Sequence, residues 1–106
     1  HGTGTANNDL SESLAIQNLF GEKAPPFGST KCFTGHTLAA AGGVEAVYSL
    51  LTLKYRTIFP NLRFNKPIPE MAILPITQIH RNYEVDHVLS NSFGFGGNCT
   101  SLVFSK

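Results

Sequence analysis

Three short stretches of this chain hold reactive residue types at spacings that suit a site. The first is His1-Gly2-Thr3-Gly4-Thr5, an imidazole beside glycines with two hydroxyls two residues apart. The second is Lys31-Cys32-Phe33-Thr34-Gly35-His36, an ammonium five residues before a second imidazole. The third is Ser90-Asn91-Ser92-Phe93-Gly94-Phe95-Gly96-Gly97. Glycine lets backbone approach a ligand closely. A neutral imidazole donates an N–H to a developing oxyanion, most effectively in a dry site. Its second ring nitrogen then needs a partner that fixes the tautomer. Metal chemistry is not expected, because no two histidines lie at zinc-ligand spacing. His80 and His87 match no motif and read as surface or packing residues. Cys32 lies beside Lys31, a setting that activates thiols, but no histidine base is adjacent and it is not read as a nucleophile.

Around these stretches the pattern predicts a helix over Asp9–Phe20. Asp9 and Glu12 have capping-box spacing, Leu10, Leu14, Ile16, Leu19 and Phe20 form an apolar stripe, and Gly21 is a natural stop. Lys23–Phe27 holds Pro25-Pro26 and reads as a loop, with a short strand expected over Phe27–Lys31. A second helix is predicted from Gly35 or His36 to Tyr55, apolar nearly all round and so buried on most sides. It would hold His36 at its N-terminus, where the helix dipole favours a neutral donor ring. Gly42 and Gly43 in its interior cost roughly 1 kcal/mol each against alanine, and close packing is their expected use. Pro60, Pro67, Pro69 and Pro75 restrict Thr57–Thr77 to extended pieces and turns. His87–Ser92 and Thr100–Phe104 read as strands of a hairpin around the glycine-rich turn.

A chain of 106 residues suits one domain, residues 1–106. Charged residues make up 14%, against about 25% in ordinary globular domains, so part of this surface is expected to be covered by something else. A start on histidine suggests a piece of a longer polypeptide. The net charge of +1 gives no general attraction to nucleic acid or anionic membranes. No signal peptide or membrane span is visible. The two cysteines form no framework, and reduced thiols in a cytoplasmic protein are expected.

In their order and separation, the three motifs resemble the C-terminal half of a β-ketoacyl-acyl-carrier-protein synthase of the elongating, type II-like class, over essentially the whole chain. The resemblance implies an α/β thiolase-like fold, a mixed sheet flanked by helices. It implies decarboxylative Claisen condensation of an acyl thioester with malonyl-acyl-carrier protein in fatty acid or polyketide synthesis. His1 and His36 would stabilise the enolate, Lys31 would act positionally and electrostatically, and Glu45 would pair with Lys31. Thr3 and Thr5 would bond the phosphopantetheine arm. Phe95 would gate the acyl pocket and supply an oxyanion-hole N–H, with Phe93 supporting the loop. The nucleophilic cysteine would lie in an N-terminal half outside this chain, leaving the chain alone inactive. Partners would be that half, acyl-carrier protein and a second enzyme copy in a homodimer, with no bound cofactor.

Asn98-Cys99-Thr100 departs from the family's usual Thr-Asn-Ala or Thr-Asn-Ser, and Ala6-Asn7 from its common Pro-Leu. The first departure bears on substrate range. A rival reading is a non-catalytic partner like the chain-length factors; retention of His1, Lys31 and His36 argues against it. A nucleotide-binding module is the third, weakened by the lack of a glycine fingerprint joining strand to helix.

Overall fold

Helix α1, Ala6–Phe20, begins three residues before the expected Asp9. The capping box does not form, because other donors take both carboxylates. Asp9 accepts from the Gly4 N–H at 3.3 Å and from Asn8 at 3.1 Å. Glu12 accepts from the backbone nitrogens of His1 and Gly2, each at 2.8 Å. Thr5 is the N-cap but makes no side-chain cap bond. The computed structural model describes residues 1–106. Gly21 closes α1 with φ +59°, as its position predicts.

The strand expected over Phe27–Lys31 is absent. One backbone bond from a distant segment reaches it, Ile76 N–H to the Phe27 carbonyl at 3.0 Å, and the other backbone bonds, at Thr30 and Lys31, belong to the helical turn that follows. The next available donor, Ser29 N–H, turns to the Asn61 side chain at 2.8 Å, so no ladder propagates. The chain instead enters a single helical turn, α2, Lys31–Thr34, ended by Gly35 at φ +70°.

The second long helix also differs from expectation. Leu38 has φ +52°, which interrupts helical backbone. A 3-10 turn over Leu38–Ala40 follows, and α3 spans Ala41–Tyr55. His36 therefore sits in an exposed loop ahead of α3, and Glu45 stands alone on the helix once expected to carry both. Arg56 caps α3 in the left-handed region.

Strands β1, His87–Phe93, and β2, Cys99–Ser105, form the predicted hairpin in antiparallel register, from His87 opposite Ser105 to Phe93 opposite Cys99. The sheet in this chain has these two strands. Helix α3 packs on β1. A Cβ added at Gly42 would lie 3.4 Å from Ser92 Oγ, so this glycine does serve close packing; Gly43 faces open space. Between α3 and β1 the prolines leave one isolated bridge, Ile58 to His80.

Little of this is internal core. Six of 106 residues are buried, and Ala41 and Leu53 are the apolar ones among them. The accessible surface is 7155 Å², whereas a folded monomer of 11.5 kDa exposes about 5,800 Å². Leu19, Leu38 and Val103 are each about two-thirds exposed or more. The low charge content pointed to covered surface, and this apolar exposure fits it. No helix is long and apolar enough to cross a membrane.

Candidate functional site

The site begins with the turn at His1-Gly2. Glu12 on α1 receives both backbone nitrogens of that turn. On its other side the His1 carbonyl accepts from Ser29 Oγ and from Lys31 Nζ, each at 2.8 Å. Gly2 has φ +55°, and a Cβ there would lie 2.5 Å from Ser29 Cβ. Only glycine permits this approach without a shift of backbone.

Lys31, on α2, is 7% exposed. An ammonium has three protons and no acceptor. Its contacts are the His1 carbonyl, His1 Nδ1 at 3.2 Å, and Glu45 Oε1 in direct ionic contact. Because Lys31 only donates, His1 Nδ1 accepts, and the ring proton lies on Nε2. Glu45, 11% exposed on α3, also accepts from Ser92 Oγ on β1 at 3.4 Å. The pair thus joins α2, α3 and β1.

The His36 loop reaches the same state by a different partner. His36 Nδ1 accepts the Leu38 N–H at 3.1 Å. A backbone N–H can only donate, so Nε2 again carries the proton. The two imidazoles stand edge to face with centroids 5.4 Å apart. Phe93, the last residue of β1, sets its ring edge-on to His1 at 5.6 Å. The arrangement offers two ring N–H donors, each with its tautomer set from behind, beside an aromatic wall. A polarised or anionic oxygen is the species such donors stabilise.

Of the residues singled out in the sequence, His1, Lys31, His36, Glu45 and Phe93 come together. Thr3 and Thr5 hydrogen-bond each other, Oγ1 to Oγ1 at 2.8 Å, rather than the imidazole cluster. Phe95 lies in the Gly94–Asn98 turn, fully exposed. That turn is closed by Gly94 N–H to the Asn98 carbonyl at 2.7 Å. The Cys32 thiol donates to the Ser29 carbonyl at 3.1 Å and, more weakly, to that of Pro60 at 3.6 Å. His80 stacks edge-on with Tyr83, and His87 Nδ1 pairs with Ser105 Oγ at 2.8 Å. No cluster of three or more His, Cys, Asp or Glu is placed to hold a metal ion.

Sequence reasoning missed Ser29, Asn61 and Ser92, and misread Glu12. Ser29 meets His1 and Asn61 across 28 and 32 residues of chain, with loop on both sides, so no periodicity marks it. Ser92 was legible in part, since strand alternation and a glycine on the facing helix imply a close crossing.

The family described as beta-ketoacyl synthase, C-terminal domain, matches residues 1–65. Over 106 residues the chain is 43% identical to 3-oxoacyl-[acyl-carrier-protein] synthase 1 of Escherichia coli (strain K12). Over 108 aligned residues it is 41% identical to 3-oxoacyl-[acyl-carrier-protein] synthase 2 of Staphylococcus aureus (strain COL). Both alignments cover 100% of the chain and 26% of the relative, so the chain spans about a quarter of the length of these curated relatives.

Proposed function

This chain belongs to the β-ketoacyl synthase family as a C-terminal domain, and on that premise we propose that it forms the decarboxylating part, about a quarter of the length, of a 3-oxoacyl-acyl-carrier-protein synthase. In this reading the chain works within a longer, cytoplasmic, homodimeric polypeptide whose N-terminal part supplies the nucleophilic cysteine. The two strands join further strands there to make a mixed thiolase-like sheet. Acyl-carrier protein delivers malonyl and acyl groups on its phosphopantetheine arm, and no bound cofactor takes part. The pathway is fatty acid or polyketide synthesis.

The observation that carries the reading is a pair of adjacent imidazoles, each with a donor on its Nδ1. Malonyl thioester loses carbon dioxide when the electron pair of its carboxylate–carbon bond moves into the thioester carbonyl, giving an enolate. The Nε2–H groups of His1 and His36 are the donors for that oxygen. Lys31 behind His1 and the Leu38 N–H behind His36 keep the protons on Nε2 without rearrangement during the step. The enolate carbon then attacks the acyl group on the cysteine; the tetrahedral intermediate collapses, expelling the thiolate and leaving a 3-oxoacyl thioester. Lys31, already bonded to three acceptors, orients and stabilises rather than abstracting a proton. Thr3 and Thr5 exchange their mutual bond for the amides of the arriving arm. Phe95 closes over the acyl pocket and contributes its backbone N–H to the acyl oxyanion hole.

The test is the polypeptide carrying this domain at the full length of its relatives, given malonyl-acyl-carrier protein and an acyl primer. Decarboxylation with 3-oxoacyl product supports the reading. The absence of both acyl loading and decarboxylation would favour the non-catalytic partner instead, and loading without decarboxylation would overturn the roles given to His1 and His36.

A further inference from the structure

We propose that Ser29, itself held by Asn61, is a positioning residue for the His1 imidazole. The proposal rests on the decarboxylation reading and assigns a further residue to the same site. Every polar atom of Ser29 is engaged. Its N–H donates to Asn61 Oδ1 at 2.8 Å, and its carbonyl accepts the Cys32 thiol at 3.1 Å. Its Oγ donates to the His1 carbonyl at 2.8 Å and accepts the Lys31 N–H at 3.3 Å. Its Cβ lies where a side chain on Gly2 would have to go. Ser29 is therefore clamped between the His1 turn and the start of α2.

Asn61 fixes the clamp from outside. Its own N–H donates to the Ile76 carbonyl at 2.8 Å, which ties it to the segment after α3. Its Oδ1 also lies 3.3 Å from where a Gly28 Cβ would sit, so the loop runs close over it.

The consequence concerns how many donors hold His1. Its carbonyl has two, Ser29 Oγ and Lys31 Nζ. Lys31 must also serve His1 Nδ1 and Glu45. With Ser29 present, the backbone of His1 is held even as Lys31 adjusts. Without the hydroxyl, Lys31 holds the carbonyl alone, and any slippage withdraws its proton from Nδ1. Ring position and tautomer then loosen together. A displaced donor costs rate in the step that forms the enolate and leaves acyl transfer to the cysteine untouched.

The experiment compares wild type with Ser29→Ala, Asn61→Ala and Asn61→Asp in the full-length polypeptide. Decarboxylation of malonyl-acyl-carrier protein, acyl loading and the His1 ring nitrogen shifts are read in parallel. Ser29→Ala and Asn61→Ala are expected to lower decarboxylation kcat by roughly 10-fold, the lower end for loss of an outer-shell partner, with KM and acyl loading unchanged. Asn61→Asp keeps the acceptor for Ser29 N–H and restores the rate. Should Ser29→Ala fail to fold, the Asn61 pair makes the same decision. Unchanged decarboxylation in both alanine variants overturns the proposal, as does parallel loss of loading and decarboxylation. A wild-type polypeptide that does not decarboxylate overturns the functional reading instead. The ring spectra then decide the positioning claim: a single Nε2–H tautomer that becomes mixed in Ser29→Ala supports it, and one unchanged by the substitution refutes it.

Discussion

Lys31 and Glu45 lie 14 residues apart on different helices, and their side chains meet in an ion pair that is nearly withdrawn from solvent, 7% and 11% exposed. Removing one member of such a pair leaves the other charge unpaired, which costs more than the intact pair contributes. Glu45→Ala is expected to destabilise the chain by about 3 kcal/mol, measured as a shift in the urea midpoint. Lys31→Met with Glu45→Leu should recover most of that loss while decarboxylation stays low, because His1 Nδ1 has then lost its donor. A double variant as unstable as Glu45→Ala would mean that the pair's packing, and not its charge, holds the crossing.

His1→Ala and His36→Ala should each lower decarboxylation roughly 100- to 1,000-fold in the full-length polypeptide, the usual loss for one oxyanion donor. Acyl loading onto the cysteine should be spared, since the proposed step sets these rings against the enolate. Radiolabelled carbon dioxide release and acyl-enzyme formation separate the two steps. Wild-type decarboxylation in either variant would remove that histidine from the assignment.

The same cluster marks where sequence was informative and where it was not. His1, Lys31, His36 and Glu45 were legible through the family likeness of the motifs that carry them, since no local spacing joins His1 to the others. The hairpin was legible because alternation and a glycine turn are local signals. The start of α3 was not. A run of small apolar residues from Leu38 onward suits a helix everywhere, and nothing local shows that Leu38 takes φ +52°. The capping box was a false local signal: Asp9 and Glu12 have the right spacing, but donors from the Gly4 and His1-Gly2 backbones satisfy them instead. Ser29 and Asn61 lay beyond reach because long-range loop contacts leave no periodic trace.

Two glycines should respond in opposite directions. Gly2→Ala puts a Cβ 2.5 Å from Ser29 Cβ and forces alanine to φ +55°. The left-handed conformation alone costs roughly 1–2 kcal/mol, and the clash moves His1 away from Lys31. Gly43→Ala has open space and helical backbone, so in this chain it should stabilise by about 1 kcal/mol. Urea unfolding of both variants checks the pair. A Gly2→Ala variant of native stability would show that the His1 turn is not tightly fixed.

The isolated chain is expected to self-associate. Its surface exceeds that of an ordinary monomer of its mass by roughly 1,300 Å², more than the 800 Å² or so that each partner loses in a standard interface. Much of the exposed area is apolar. Leu14 and Leu19 lie along α1, Val47 and Leu50 along α3, and Leu102 and Val103 on the outer strand of the hairpin. Patches of this kind find partners or aggregate. Sedimentation over a wide concentration range should show mass rising with concentration, and an apolar dye should bind to the dilute chain. In the full-length polypeptide both effects should fall together, because the same surfaces are then covered from within. A chain that stays monomeric and binds no dye would show that these faces close against one another without a covering partner.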